Sequence, residues 1–485
     1  MEKFKTASWI VTKFKNSDMK KISFFFLCSL ISVWTYAQEA KYVFFFIGDG
    51  MGVNQVQGTE LYLGELDGKI GLTPLDFTEF PYATTSSTYS ATNGVTDSAA
   101  GGTALATGTK TKNGTIGMEQ DQQTPIASIA MRAKEKGCRV GIATSVSIDH
   151  ATPAAFYAHN PNRKNYYQIG KDLFTAGFDF YAGSDFLDPD NHGQGESLYT
   201  LASQYGYTLA RGYEDFMAKN EQADKLILLQ TEKASATYRD AIPYAIDRRE
   251  GDLCLSDITS AAIRFLSKDL SKGFFLMVEG GKIDWACHSN DAATAFREVV
   301  DLNESIRQAL QFYENHPDET LIVISADHET GGLVLGTGAY ALNLQALQYQ
   351  RVSETAFTSI LNSLRRQTGN RVTWEQARQA LADNFGFWNE LKLTEQQAKR
   401  LEEVYCRTFT GSDVEMEKSE YAQDEPLAAE AVRIINEIAM VGWVSGGHSA
   451  GYVPVFAIGA GADYFQGRMD NVEIPARIAE IAHYQ

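Results

Sequence analysis

The 485-residue chain is 44% hydrophobic and 12% aromatic, enough apolar material for a large core, and its balance of 21% charged residues excludes wholesale disorder. A formal charge of −18 excludes a nucleic-acid backbone or an anionic membrane surface as the main partner.

The first recognisable element is N-terminal. Six lysines between Lys3 and Lys21 precede the apolar run Ile22 to Trp34, and Thr35-Tyr36-Ala37 then offers a cleavage point before Gln38. This order predicts a secretory signal peptide over residues 1–37, translated from Met1 or Met19, and a secreted or periplasmic mature chain 38–485. The run is too short to span a bilayer comfortably, so no membrane attachment is expected after cleavage. Losing the leader removes six lysines against only Glu2 and Asp18, so the mature chain is more acidic still. Its cysteines, Cys138, Cys254, Cys287 and Cys406, are too widely spaced for a metal cluster. An oxidising compartment permits disulfides between them, and the spacing does not pair them.

Along the mature chain, short continuous apolar runs end in polar clusters. Tyr42 to Ile47, Arg139 to Ala143, Phe274 to Val278, Leu321 to Ile324 and Val455 to Ile458 read as buried strands, with helical patterns such as Thr124 to Lys136 and Ala292 to Tyr313 between them. Such alternation predicts a doubly wound α/β fold, a mostly parallel central sheet with helices on both faces. Residues at about 340–440 are polar and mainly helical, with capping boxes at Thr373-Trp374-Glu375-Gln376 and Thr394-Glu395-Gln396-Gln397. They read as an insertion carried on the catalytic domain.

In open parallel sheets the ligand sits beyond the carboxyl ends of the strands, and the metal-type residues of this chain collect there. The first strand runs into Asp49 between two glycines. Phe274 to Val278 runs into Glu279, then Asp284 and His288. Leu321 to Ile324 is followed by Asp327-His328, and His448 precedes the last strand. Each signal alone has an ordinary reading: a turn, a helix-face pair, a cap, a surface histidine. Together they form sets. Asp284, His288 and His448 would give one zinc ion three ligands and an open position, and Asp49, Asp327 and His328 would do the same for a second. Glu279 and Thr152 offer only oxygen, which suits magnesium. Ser98 opens a helix of small residues after Thr96-Asp97, where free backbone N–H groups and the helix dipole favour a phosphoryl group. The plain alternative there is that Asp97 or Ser98 only caps the helix.

Val95-Thr96-Asp97-Ser98-Ala99-Ala100, Val278-Glu279-Gly280, Ile283-Asp284 with His288, Ala326-Asp327-His328 and the His448 segment together resemble the alkaline phosphatase family, in its order, over Tyr42 to Asp463. The resemblance implies that Ser98 forms a phosphoserine. It also implies that two zinc ions take the two sets above, and that magnesium takes Asp49, Thr152 and Glu279. Arg163, eleven residues past Thr152, stands where the family places its phosphate-binding arginine, and a homodimer is expected. His150 and Trp285 stand where the best-known bacterial members have Asp and Lys, which puts magnesium affinity and phosphate release in question.

The expected activity is hydrolysis of small-molecule phosphate monoesters, with no nucleic acid as a specific partner. Bound metals and Arg163 would then make a local positive well in an acidic protein. A phosphodiesterase of the same superfamily and a non-catalytic metal-binding surface protein are the alternatives. A sulfatase is disfavoured, because Ser98-Ala99-Ala100-Gly101-Gly102 lacks the proline and arginine its nucleophile requires.

Overall fold

The structure, a computed structural model, describes residues 39–338, 340–409 and 415–485. The expected leader at 1–37 lies outside the described residues. Ten strands form the central sheet: β1 (Tyr42–Gly48), β2 (Tyr82–Ser87), β3 (Arg139–Thr144), β4 (Phe180–Gly183), β5 (Tyr207–Arg211), β6 (Lys225–Leu229), β7 (Phe274–Gly280), β8 (Thr320–Ser325), β9 (Val453–Gly459) and β10 (Met469–Asp470). Their order is β10-β2-β9-β8-β1-β7-β3-β4-β6-β5, and β9 alone runs against the others.

The continuous apolar runs are explained by burial on both faces. In β1, Val43, Phe45 and Ile47 enter the core on one face, while Tyr42, Phe44 and Phe46 enter the core on the other. Phe275 and Met277 of β7 join the first group, and Phe274, Leu276 and Val278 join the second. Strand alternation with helices on each side requires this division.

Register aligns the strand ends. Ile47 pairs with both Glu279 and Ser325, and Thr144 pairs with Glu279. The residues just beyond β1, β7, β8 and β3 therefore lie at one level. The sequence-derived helix at Thr124 to Lys136 is shorter in the structure, Ile129–Glu135. Pro125 instead bridges to Met118, and the Ser128 hydroxyl caps the helix by accepting from the Met131 N–H (3.1 Å).

Residues 344–439 are mainly helical: Glu354–Thr368, Trp374–Phe385, Glu395–Phe409 and Pro426–Ala439 follow a short 3-10 turn. Both expected capping boxes are present, with Thr373 bonded reciprocally to Gln376 and Thr394 to Gln397. These helices share an apolar cluster with Tyr62 and Phe296. Among the described residues no disulfide forms, and no helix is long and apolar enough to cross a membrane.

Candidate active site

The site is built on the strand ends. After β1 the chain turns at Gly50 (φ 70°), where a Cβ would stand 2.9 Å from Asp284 atoms. A positive φ and this close approach together require glycine. The turn leaves Asp49 buried, its two carboxylate oxygens without a hydrogen-bond partner among the described residues. Asp49 Oδ1 lies 3.4 Å from His328 Nε2, and Asp327 Oδ2 lies 3.3 Å from the same nitrogen.

After β7, the helix Lys282–His288 sets Asp284 and His288 one turn apart on one face, Oδ2 to Nε2 at 3.2 Å. His448 arrives from a distant segment. The pair His448–Ser449 lies antiparallel to Glu329–Thr330, which follows His328 directly, and so brings His448 beside His328 and His288. His448 Nε2 stands 3.2 Å from His288 Nε2 and 3.7 Å from Asp284 Oδ1.

The tautomers of these imidazoles are set by the backbone. His288 Nδ1 donates to the Gly446 carbonyl (2.6 Å), and His448 Nδ1 donates to the Thr96 carbonyl (2.8 Å). Both Nε2 atoms are thereby directed to the space beside Asp284, the arrangement of metal-binding histidines whose other ring nitrogen is held by a carbonyl. Thr330 Oγ1 donates to Asp284 Oδ1 (2.5 Å) and fixes that carboxylate.

Ser98 opens the helix Ser98–Thr107. Asp97 is the cap, accepting from the Ala100 N–H (3.0 Å) and the Gly114 N–H (2.9 Å), so the capping role falls to Asp97 and leaves the serine hydroxyl available. Ser98 Oγ lies 3.2 Å from His328 Nε2, fully buried. Small residues let this helix come so close: a Cβ on Gly101 would stand 2.9 Å from the Asp327 carbonyl oxygen, and one on Gly102 would stand 3.2 Å from Thr152 Cα.

Arg163 reaches the same corner. Its Nη1 donates to Asp97 Oδ2 (3.2 Å), and its Nη2 faces the Tyr421 hydroxyl (3.2 Å) and His150 Nε2 (3.4 Å). Glu279 accepts from the Thr144 hydroxyl, and Thr152 Oγ1 donates to Asp327 Oδ2 (3.4 Å). One His150 nitrogen, one Asp49 oxygen and one Glu279 oxygen lie within 4.8 Å of one another. Trp285 is buried, stacks on Tyr421 (4.6 Å, 10°) and meets the His150 ring edge-on (6.0 Å).

The twelve sequence-derived residues thus share one region. Three were not legible beforehand: Thr330, Glu420 and Tyr421. Glu420 Oε2 comes within 3.7 Å of His288 Nε2, and the two belong to one ligand-sized group with His448. Thr330 stands two residues past His328 in a segment already suspect, whereas Glu420 and Tyr421 sit in a polar stretch with no spacing signal.

Electrostatics follow from crowding in a buried space. Burial first, then neighbouring carboxylates, raise Asp49 well above the usual range and Asp327 to about 7, and burial with Asp327 takes Glu279 to about 8. Burial works against the Asp284 charge too, but His288 and His448 outweigh it and hold its carboxyl down. Burial opposes the His288 charge, and Asp284 overcomes it, taking His288 to about 9. Divalent cations fit this donor set. Converging carboxylate and imidazole donors, with orphaned oxygens on Asp49, Glu279 and Asp284, are what such ions satisfy.

Comparison with known proteins agrees with this geometry. The family model described as alkaline phosphatase matches residues 40–177 and 187–484. Alkaline phosphatase 3 of Bacillus subtilis (strain 168) is 31% identical over 455 residues, covering 92% of this chain and 90% of that protein. The crystal structure of a cold-active alkaline phosphatase from the psychrophile Shewanella sp. superposes with a TM-score of 0.74 at 29% identity, covering 91% of this chain and 99% of that one. A variant of the alkaline phosphatase of the Antarctic bacterium TAB5, with a histidine changed to glutamate and magnesium bound in its M3 site, is 26% identical with a TM-score of 0.63, covering 93% and 99%. A chain matched over nearly its whole described length, with this fold and this cluster at its strand ends, belongs to the alkaline phosphatase family.

Proposed function

We propose that the chain hydrolyses phosphate monoesters to inorganic phosphate and the free alcohol, through a phosphoserine on Ser98. The observation that carries this reading is the buried Ser98 hydroxyl, at a helix start, 3.2 Å from His328 in the carboxylate–imidazole cluster. Asp284, His288 and His448 would hold one zinc ion, Asp49, Asp327 and His328 a second, and Asp49, Thr152 and Glu279 magnesium. Bound there, the zinc ions supply Lewis acidity that favours the serine alkoxide and offsets charge on the leaving and attacking oxygens.

The chain's own groups do the rest. Ser98 Oγ bonds to phosphorus as the ester P–O bond breaks and the alcohol leaves with a proton. Water then cleaves the phosphoserine, which restores Ser98 and releases phosphate. Arg163, held by Asp97 at Nη1 and by Tyr421 and His150 at Nη2, would turn its remaining N–H groups to the non-bridging oxygens. The positive end of the helix Ser98–Thr107 would favour the same phosphoryl group. A diester offers one fewer charged oxygen to this fork, so the geometry favours monoesters.

The basic and apolar order of residues 1–37 supports a secreted or periplasmic mature chain, and the family supports a homodimer. The same reading treats residues at about 340–440 as an insertion on the catalytic domain, supported by their shared apolar cluster.

Ser98→Ala tests the mechanism. Phosphoserine, detected by mass spectrometry after acid quench, should disappear along with most turnover. Bound zinc should stay near wild type, because the six proposed ligands are untouched. Near-normal monoester turnover in this variant would remove Ser98 from the reaction.

A further inference from the structure

Tyr421 is a contact of the proposed phosphate-binding arginine that comes from outside the catalytic strand ends. It sits at the tip of a hairpin in which Glu417–Lys418 pairs antiparallel with Gln423–Asp424. The hairpin is held tightly: Ser419 N–H donates to the Ala422 carbonyl (3.0 Å), and Ala422 N–H donates to Ser419 Oγ (3.1 Å). Its base is tied down by Thr358 Oγ1, which donates to Asp424 Oδ1 (3.2 Å), and by the ion pair of Glu417 with Arg433.

At the tip, the Tyr421 ring stacks on buried Trp285 at 4.6 Å and meets the edges of His150 (5.7 Å) and His288 (5.4 Å). Ring and hairpin thus fix the phenol oxygen, which accepts from Arg163 Nη2 at 3.2 Å. On the other side Asp97 takes Nη1 at 3.2 Å. A long arginine side chain loses much rotamer freedom when it binds a ligand, unless neighbours have already fixed it. Asp97 alone would leave the guanidinium free to swing about one N–H···O bond, and His150 Nε2 is a longer contact of Nη2, at 3.4 Å. A second acceptor on the other nitrogen fixes its plane.

We propose that Tyr421 is a positioning residue for Arg163: its hydroxyl holds the guanidinium plane in the orientation that receives two phosphoryl oxygens. The inference rests on the reading of Arg163 as the phosphate-binding group. It gives the polar segment before the helix Pro426–Ala439 a part in substrate and product binding, although none of the proposed metal ligands lies there.

Tyr421→Phe deletes the hydroxyl and keeps the stack on Trp285, so packing is preserved. The full-length, metal-loaded variant should show the inhibition constant of inorganic phosphate and the KM of a small monoester both raised on the order of tenfold, the worth of one hydrogen bond to a charged group. Its kcat should stay within about twofold and its melting temperature should not move. A purely structural tyrosine gives the opposite pattern, a lowered melting temperature with KM and phosphate inhibition unchanged, and that result would overturn the proposal. Arg163→Ala is measured alongside. If it leaves phosphate affinity intact, the reading of Arg163 fails and the inference with it. If it weakens phosphate, Tyr421→Phe added to that background should change phosphate inhibition less than twofold. A further tenfold loss there would show that the hydroxyl does not act through Arg163.

Discussion

Gly101→Ala places one methyl group where the structure has no room for it. The added Cβ would stand 2.9 Å from the Asp327 carbonyl oxygen and 3.1 Å from Asp327 Cβ, against ordinary contact beginning at 3.4 Å. Asp327 lies two residues beyond a wholly buried strand, so its backbone cannot yield easily. The helix Ser98–Thr107 must therefore withdraw by about 0.5 Å to restore contact. Two stability terms then oppose each other. Alanine gains about 1 kcal/mol over glycine in a helix, and overpacking costs about 1–3 kcal/mol, so the net loss is about 0–2 kcal/mol and the protein stays folded. Activity is more sensitive, because Ser98 sits on the first turn of the displaced helix. A misplacement of about 1 Å can cost a hundredfold, so half that distance predicts a loss of about tenfold in kcat/KM. Steady-state kinetics on a small monoester, with melting curves on the same samples, measure both quantities. Wild-type kcat/KM in the folded variant would refute the claim that helix approach positions Ser98.

Arg163→Ala should weaken monoester and inorganic phosphate far more than it lowers diester turnover, because a diester offers the fork one fewer charged oxygen; equal losses on the two substrates would count against Arg163 as the monoester selector. Chelation should remove activity and also change how stability depends on pH. Burial and neighbouring carboxylates raise Asp327 to about 7 and Glu279 to about 8 in the folded chain, so the stability these groups contribute is complete below their unfolded pKa and is lost as pH rises through those values. The melting temperature of chelated protein should fall from pH 6 to 9 more steeply than that of metal-loaded protein, and parallel pH profiles would refute the coupling. His150→Asp with Trp285→Lys adds a carboxylate and an ammonium beside the cluster, and should tighten both magnesium and phosphate while lowering turnover at high pH. Magnesium titration and phosphate inhibition on the folded double variant measure this, and two unchanged affinities would sink it.

Strand ends were the most legible part of the sequence. Runs such as Tyr42 to Ile47 and Phe274 to Val278 are apolar without interruption because both faces of a central strand are buried, so their ends, and Asp49 and Glu279 beyond them, could be placed without further information. Asp284 and His288 were legible because four residues make one helical turn. His448 was visible as a histidine among glycines, but its position beside His328 depends on a two-residue ladder with Glu329–Thr330 that no local pattern encodes. The start of the helix Ile129–Glu135 was misread because Ser128 offers a better cap than Thr124 while Pro125 is engaged elsewhere. Tyr421 was illegible for a different reason. Its role depends on three partners, Arg163, Trp285 and His150, at sequence separations above 130, and a tyrosine in a polar stretch carries no period.

The central position of β1 also bears on how the chain reaches its native state. This strand, Tyr42–Gly48, is among the first described segments to be synthesised, yet its partners are Phe274–Gly280 and Thr320–Ser325. At about 5–20 residues per second, the roughly 225 residues before its first partner take on the order of ten to forty-five seconds to make. For that interval both edges of Tyr-Val-Phe-Phe-Phe-Ile lack their strand partners. A short segment of high β-propensity, with no charge and no proline, is the kind that pairs with copies of itself. Non-local pairing also slows its rescue by folding. Refolding yield should therefore fall with protein concentration more steeply than it would for a fold whose central strands are neighbours in sequence.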